Sequence, residues 1–278
     1  MRSLVLKTMK YKLILSDYGE TLVHTGEDIH FKNKEAIHKY TSDGGTFVIA
    51  TGREWPSIKR KMIKEDLMDS NILIVCMYGA LIISSKSEII LSKHIINNEV
   101  VIKIIKFLNG NYHYSIVTKD QTLILSGTDV SRLVWKQYNN QMRFNDEQEL
   151  IEYISSKSPD IYKIDIYELY DSYDVMQTIK KNYLGNFNYF INKDLKYLEL
   201  VSEDSSKELA YLYLKAHFNL LEDEIIVIGD ALNDLGMFKK AKNRVAVSNA
   251  IKEIIDESTM VIDNHDYCGI YRLIDKLM

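Results

Sequence analysis

Cysteine and proline are both scarce here, with two of each in 278 residues. Two thiols cannot build a disulfide framework. Neither Cys76 nor Cys268 stands in metal-ligand spacing, so both read as buried free thiols of a reducing compartment. No repeat or low-complexity segment is present. No apolar run approaches the length of a membrane span, and the opening MRSLVLKTMKYK lacks the apolar core and cleavage site of a secretory signal. The expected compartment is the cytoplasm, with no membrane partner, and the eight residues ahead of Met9 read as a dispensable extension. An excess of positive charge is missing too. Lys and Arg number 35 against 39 Asp and Glu, a formal net charge of -4, which argues against nucleic acid as the main partner. No Gly-x-x-x-x-Gly-Lys-Ser/Thr loop exists to cradle a nucleotide. The seven histidines form no zinc-type pair such as His-Glu-x-x-His, and no ligand role is assigned to them.

What is present is an ordinary globular composition, 46% hydrophobic and 27% charged, in a chain long enough for one large domain or two ordinary ones. An apolar run in YKLILSDYGETL stops at Asp17, and Tyr18-Gly19-Glu20-Thr21 turns the chain. A helical pattern over 33–41 follows, then a buried-strand run over 46–50 that ends at Thr51-Gly52-Arg53. WPSIKRKMIKEDL predicts a helix with Pro56 in its first turn, NILIVCM a third buried strand, and LIISSKSEIILS a hairpin. Strands alternating with helices argue for a parallel sheet covered by helices.

From about Lys93 to Phe190 the texture changes to an α+β module. NNEVVIKIIKFL, DVSRLVWKQY, DEQELIEYIS and YDVMQTIKKNYL read as helices, YSIVTKDQTLILS as a hairpin, NFNYFIN as a strand and IYKIDIYEL as a half-buried alternating strand. The parallel pattern is expected to resume with a strand at Leu198 to Val201, a helix from Ser206 to Phe218, and a strand from Glu224 ending in Gly229-Asp230. A helix holding Met237, a strand over 245–247, a helix from Ala250 and a last strand over 260–262 complete the reading. The fold class is therefore α/β, a Rossmann-like core of residues 1–92 and 191–278 with a cap of residues 93–190 inserted between.

Asp17, Thr51, Lys207 and the run Gly229 to Asp234 fall at strand ends or helix starts, where α/β sheets bind ligands. Phosphoryl transfer needs a nucleophile, donors for the phosphate oxygens, a fixed cation and usually Mg²⁺. Asp17 offers the nucleophile; Thr51 and the Gly52 N–H offer donors; Lys207 offers a point charge. Asp230 and Asp234, four apart on an opening helical turn, offer hard oxygens suited to Mg²⁺.

The segments LILSDYGETL, VIATGR, SSKELAYLYL and VIGDALNDLGMF, followed by VAVSNAIKEI, resemble in order and spacing the haloacid dehalogenase superfamily. Within it they resemble the Cof-type phosphatases, which carry a large cap between the second and third motifs. The resemblance implies that Asp17 is nucleophile and Mg²⁺ ligand, Thr51 a phosphate ligand and Lys207 the third-motif lysine. It also implies metal carboxylates at Asp230 and Asp234, Asn233 beside the phosphate, and a backbone carbonyl to the metal from Gly19. A small phosphorylated metabolite is the implied substrate, selected by the cap.

The first motif departs from the family's Asp-x-Asp-Gly-Thr. Gly19 occupies the position of the general acid, and Glu20 is one residue too far along, on the opposite side of an extended chain. Two readings follow: a phosphatase of reduced or narrowed activity, with Glu20 as a candidate substitute acid, or a descendant that binds a phosphorylated ligand without turnover. Tyr78, where Cof-type proteins often carry Asn before Gly-Ala, is a second departure. A two-component receiver is disfavoured, because its acidic pair precedes the phosphorylated Asp and it is about half this size.

Overall fold

The computed structural model describes residues 9–24, 26–68, 71–108, 110–126, 140–167, 172–182, 187–192 and 196–278. The expected helix DVSRLVWKQY and the residues ahead of Met9 lie outside these. In chain order the strands are β1 (Leu13–Asp17), β2 (Thr46–Ala50), β3 (Ile72–Cys76), β4 (Leu81–Ser84), β5 (Ile90–Lys93), β6 (His113–Thr118), β7 (Thr122–Leu125), β8 (Gln141–Phe144), β9 (Ile161–Tyr167), β10 (Phe187–Asn192), β11 (Tyr197–Ser202), β12 (Ile225–Gly229), β13 (Asn243–Val247) and β14 (Met260–Ile262). The helices are α1 (Phe31–Ser42), α2 (Trp55–Lys64), α3 (Asn98–Leu108), α4 (Glu147–Lys157), α5 (Ser172–Asn182), α6 (Lys207–His217), α7 (Leu235–Lys240), α8 (Lys252–Glu257) and α9 (Gly269–Leu277).

The larger sheet has eight strands in the order β14-β13-β12-β1-β2-β3-β4-β5. Its strands from β14 to β3 are parallel, and β4 and β5 form the expected antiparallel hairpin at the edge. Alternation along each strand sorts the side chains onto two faces. Ile14, Phe47, Ile49, Ile74 and Ile228 pack under α1, α2 and α9 on one face. Leu13, Leu15, Val48, Val75 and Val227 pack under α6, α7 and α8 on the other. Each fully buried Leu, Ile, Val or Phe contributes about 1.5–3 kcal/mol, so both layers bind the sheet firmly. The central strands β12, β1 and β2 run side by side with Ser16 level with Ile228 and Asp17 level with Ala50, so their carboxyl ends form one edge.

The smaller sheet has six strands in the order β10-β11-β9-β6-β7-β8, antiparallel except for β7 beside β8, and packs on α3, α4 and α5 through a core of its own. Two expectations are corrected here. The strand at Leu198 to Val201 does not resume the parallel sheet; it lies antiparallel to β9 and β10, so the six-stranded sheet runs on to Ser202. Its apolar alternation matched either sheet, and only pairing decides between them. β9 is buried along nearly its whole length rather than half exposed, because the polar positions Lys163 and Asp165 are enclosed as well. Cys76 and Cys268 are free and buried. Among the described residues no helix is long and apolar enough to cross a membrane.

Candidate active site

β1 is buried throughout and ends at Asp17, whose neighbour Tyr18 donates its N–H to the Ala50 carbonyl at 3.2 Å. The chain then turns sharply. Leu22 and Val23 both donate N–H groups to the Tyr18 carbonyl, and Glu20 sits in the left-handed region at φ 59°. The turn carries the buried Thr21 hydroxyl to Asp230, where it donates to Oδ1 at 2.5 Å. Sequence reading did not single out Thr21, since its partner lies on a distant strand.

β12 delivers Asp230 from the neighbouring position. A single helical turn over Leu232–Asp234 brings Asp234 back beneath it, where Oδ2 accepts the N–H groups of Asp230 (3.0 Å) and Ala231 (3.1 Å). Gly229 is required by this packing, because a Cβ there would come within 2.6 Å of the Asp234 carboxylate. Lys207, the first residue of α6, is buried and donates to Asp17 Oδ1 and, at 2.6 Å, to Asp234 Oδ1. An ammonium at a helix N-terminus opposes the helix dipole. The two carboxylates overcome that, and although burial works against its charge they hold the lysine above its ordinary pKa.

Asp17, Asp230 and Asp234 each offer an oxygen within 4.8 Å of the others, and all three are buried. Opposite ligands of one octahedral Mg²⁺ at about 2.0–2.1 Å stand roughly 4.2 Å apart, so the cluster needs little adjustment to share an ion. Burial drives the Asp17 carboxyl well above its usual range, against the pull of Lys207, and raises Asp230 too. Three buried carboxylates facing one ammonium are short of positive charge. Asn233 adds a buried amide oxygen with no hydrogen-bond partner among the described residues. These features fit a hard divalent cation.

Thr51 closes β2. Its N–H donates to the Val75 carbonyl at 2.8 Å, and its hydroxyl accepts the Arg53 N–H at 3.2 Å. Gly52 is needed because a Cβ would meet the Tyr78 ring at 2.5 Å. Gly19 lies between Asp17 and the turn and bridges to Val23. The Glu20 carboxylate is turned to two histidines, 2.9 Å from His24 Nδ1 and 3.6 Å from His265 Nε2.

A second polar group lies beside the Thr51 turn and draws on the smaller sheet. Tyr78, at φ 58°, donates its hydroxyl to Glu199 Oε2 at 2.5 Å and stacks on Phe190 with ring centres 3.5 Å apart. Lys163 donates to Glu199 at 2.6 Å and pairs with Asp165 at 3.1 Å. A cavity of ≈ 220 Å³ opens here, lined by Thr51, Gly52, Arg53, Glu54, Lys163 and Tyr197. Burial lifts the Glu54 carboxyl to about 7, with Lys163 pulling the other way. Of this group the sequence marked Thr51, Gly52 and Tyr78, and missed Glu54, Lys163, Asp165 and Glu199.

A model of the haloacid dehalogenase-like hydrolases matches residues 14–274. The chain is 25% identical to the 5-amino-6-(5-phospho-D-ribitylamino)uracil phosphatase YwtE of Bacillus subtilis, over 96% of this chain and 98% of that one. It is also 25% identical to the phosphatase YwpJ of the same organism, over 96% and 100%. In fold it is similar to a haloacid dehalogenase-like hydrolase from Bacteroides thetaiotaomicron, with a TM-score of 0.81 at 22% identity over 97% of this chain and 100% of that one. With a family match over nearly its whole length, and carboxylates gathered at the ends of the family's first and fourth motif strands, this chain belongs to the haloacid dehalogenase-like hydrolases, Cof type.

Proposed function

We propose that the protein hydrolyses the phosphate monoester of a small metabolite through an aspartyl-phosphate on Asp17, with Mg²⁺ as cofactor. The observation that carries this reading is the convergence of Asp17, Asp230 and Asp234 within 4.8 Å, with Lys207 bonded to two of them. Asp17, Asp230 and Asp234, with the Gly19 carbonyl, would hold the ion, which supplies charge neutralisation at the phosphoryl oxygens.

Asp17 Oδ attacks phosphorus as the P–O bond to the substrate oxygen breaks. The Lys207 ammonium pulls the attacking carboxylate toward its ionised form and orients it, while Thr51, Gly52 and Asn233 hold the phosphate. The leaving oxygen takes its proton from water, since Gly19 has none to give and Glu20 is engaged with His24. Water then attacks the acyl phosphate, releasing inorganic phosphate and restoring Asp17. The smaller sheet and its helices act as the cap, and the cavity at Lys163 and Tyr197 receives the part of the substrate that is not phosphate.

Without a general acid, good leaving groups are spared and poor ones are slow, by about 10²–10⁴. The second reading, ligand binding without turnover, is favoured by the Tyr78 ring lying against Gly52. Release of p-nitrophenol from p-nitrophenyl phosphate with Mg²⁺ separates the two. The native chain is expected to be active, Asp17→Asn to fall by at least about 10³-fold, and Gly19→Asp to gain most on alkyl phosphates. A native chain no faster than Asp17→Asn, with activity appearing in Gly19→Asp, establishes binding without turnover instead.

A further inference from the structure

We propose that Glu20, His24 and His265 form a second metal site, for Zn²⁺, separate from the carboxylates around Asp17. His24 and His265 stand near opposite ends of the chain, which is why no local motif announces them. The turn after β1 brings in Glu20 and His24, and the short helical turn His265–Tyr267 ahead of α9 brings in His265. One ligand atom from each lies within 4.8 Å of the other two.

The spacing is that of ligands rather than of a hydrogen-bonded cluster alone. Tetrahedral Zn²⁺ with bonds of about 2.0–2.1 Å sets its ligand atoms roughly 3.3 Å apart. Glu20 Oε2 is 2.9 Å from His24 Nδ1 and 3.6 Å from His265 Nε2, one edge on either side of that value. The longer separation exceeds a hydrogen bond.

His265 is 8% exposed, and its Nδ1 lies 3.0 Å from Asp266 Oδ1. Donation from Nδ1 to that carboxylate fixes the tautomer and leaves the Nε2 lone pair aimed at Glu20, the arrangement in which imidazoles bind zinc. Glu27 and Asp266 add negative charge around His24. Two imidazole nitrogens and one carboxylate favour zinc over Mg²⁺, and the exposed side of His24 leaves room for water as fourth ligand. A bound ion would tie the turn that carries Thr21 to the head of α9. This inference does not depend on the phosphatase reading.

The test is a Zn²⁺ titration of the full chain, stripped of metal and held in excess Mg²⁺ to occupy the Asp17 cluster, against a chromophoric chelator, with Co²⁺ absorption as a second readout. One Zn²⁺ per chain and the strong visible bands of tetrahedral Co²⁺ are expected. His24→Ala and His265→Ala each weaken binding by at least about tenfold, Asp266→Asn weakens it by about 10–100-fold, and Asp17→Asn leaves it unchanged. His24 is exposed, so His24→Ala keeps the fold, which thermal melting checks. Absence of Zn²⁺ binding in Mg²⁺, binding indifferent to His24→Ala, or binding lost in Asp17→Asn would each overturn the proposal.

Discussion

Among the described residues two lysines are buried, each between two carboxylates: Lys207 between Asp17 and Asp234 at the edge of the larger sheet, and Lys163 between Asp165 and Glu199 in the smaller one. They differ in what completes the set. Around Lys207 the third neighbour is another carboxylate, Asp230, so negative charge is left over. Around Lys163 the Tyr78 hydroxyl is a donor that satisfies Glu199 without adding charge, and the further carboxyl nearby, Glu54, is lifted by burial to about 7. A buried ion group closed by protein donors holds a structure together; one left short of positive charge is completed by something from solution.

Removing each lysine sharpens that contrast. Lys163→Met strands Asp165 and Glu199, and a loss of about 3–5 kcal/mol is expected in urea denaturation. Its deficit relative to the native chain should be the same with and without Mg²⁺. Lys207→Met should cost a similar amount in metal-free protein but recover with Mg²⁺, through linkage to the ion. If both deficits respond to Mg²⁺ alike, charge balance is not what separates the two clusters.

The next effect is pH-dependent. Between the ordinary glutamate value of 4.5 and about 7 the unfolded chain has released the Glu54 proton while the folded one keeps it. The folded state then binds more protons, so this carboxyl lowers stability as pH rises through that window. Glu54→Gln should be more stable than the native chain by up to about 3 kcal/mol at pH 8 and equal to it near pH 4, read from melting curves across pH. The smallest effect is Tyr78→Phe, which removes one hydrogen bond to a charged group and should cost about 1.5 kcal/mol in the same denaturation assay.

The larger sheet was legible because its central strands β1, β2 and β12 are short apolar runs that stop at Asp17, Thr51 and Gly229-Asp230. Thr46–Ala50 was bounded to the residue, and Asp17 at the end of β1 and Asp230 and Asp234 just after β12 come together with Lys207 at the head of α6. What escaped was pairing across the chain. IYKIDIYEL alternates as a surface strand would, yet Lys163 pairs with Glu199 across on β11 and with Asp165 on its own strand, and no local pattern distinguishes a solvated lysine from an enclosed one. The strand holding Glu199 was assigned to the wrong sheet for the same reason. α9, with Ile270, Leu273 and Ile274 on one face, is strongly amphipathic, and the sequence reading stopped short of it. His24 and His265 each looked like a lone histidine.

β11 belongs to the smaller sheet, and α6 begins only a few residues beyond its end. That strand carries Glu199 and that helix opens on Lys207. One short stretch of backbone is thus a crank with a buried charge at either end. Tilting the smaller sheet would pull on the lysine bonded to Asp17, so moving that sheet and loosening the Asp17 carboxylate become a single mechanical event.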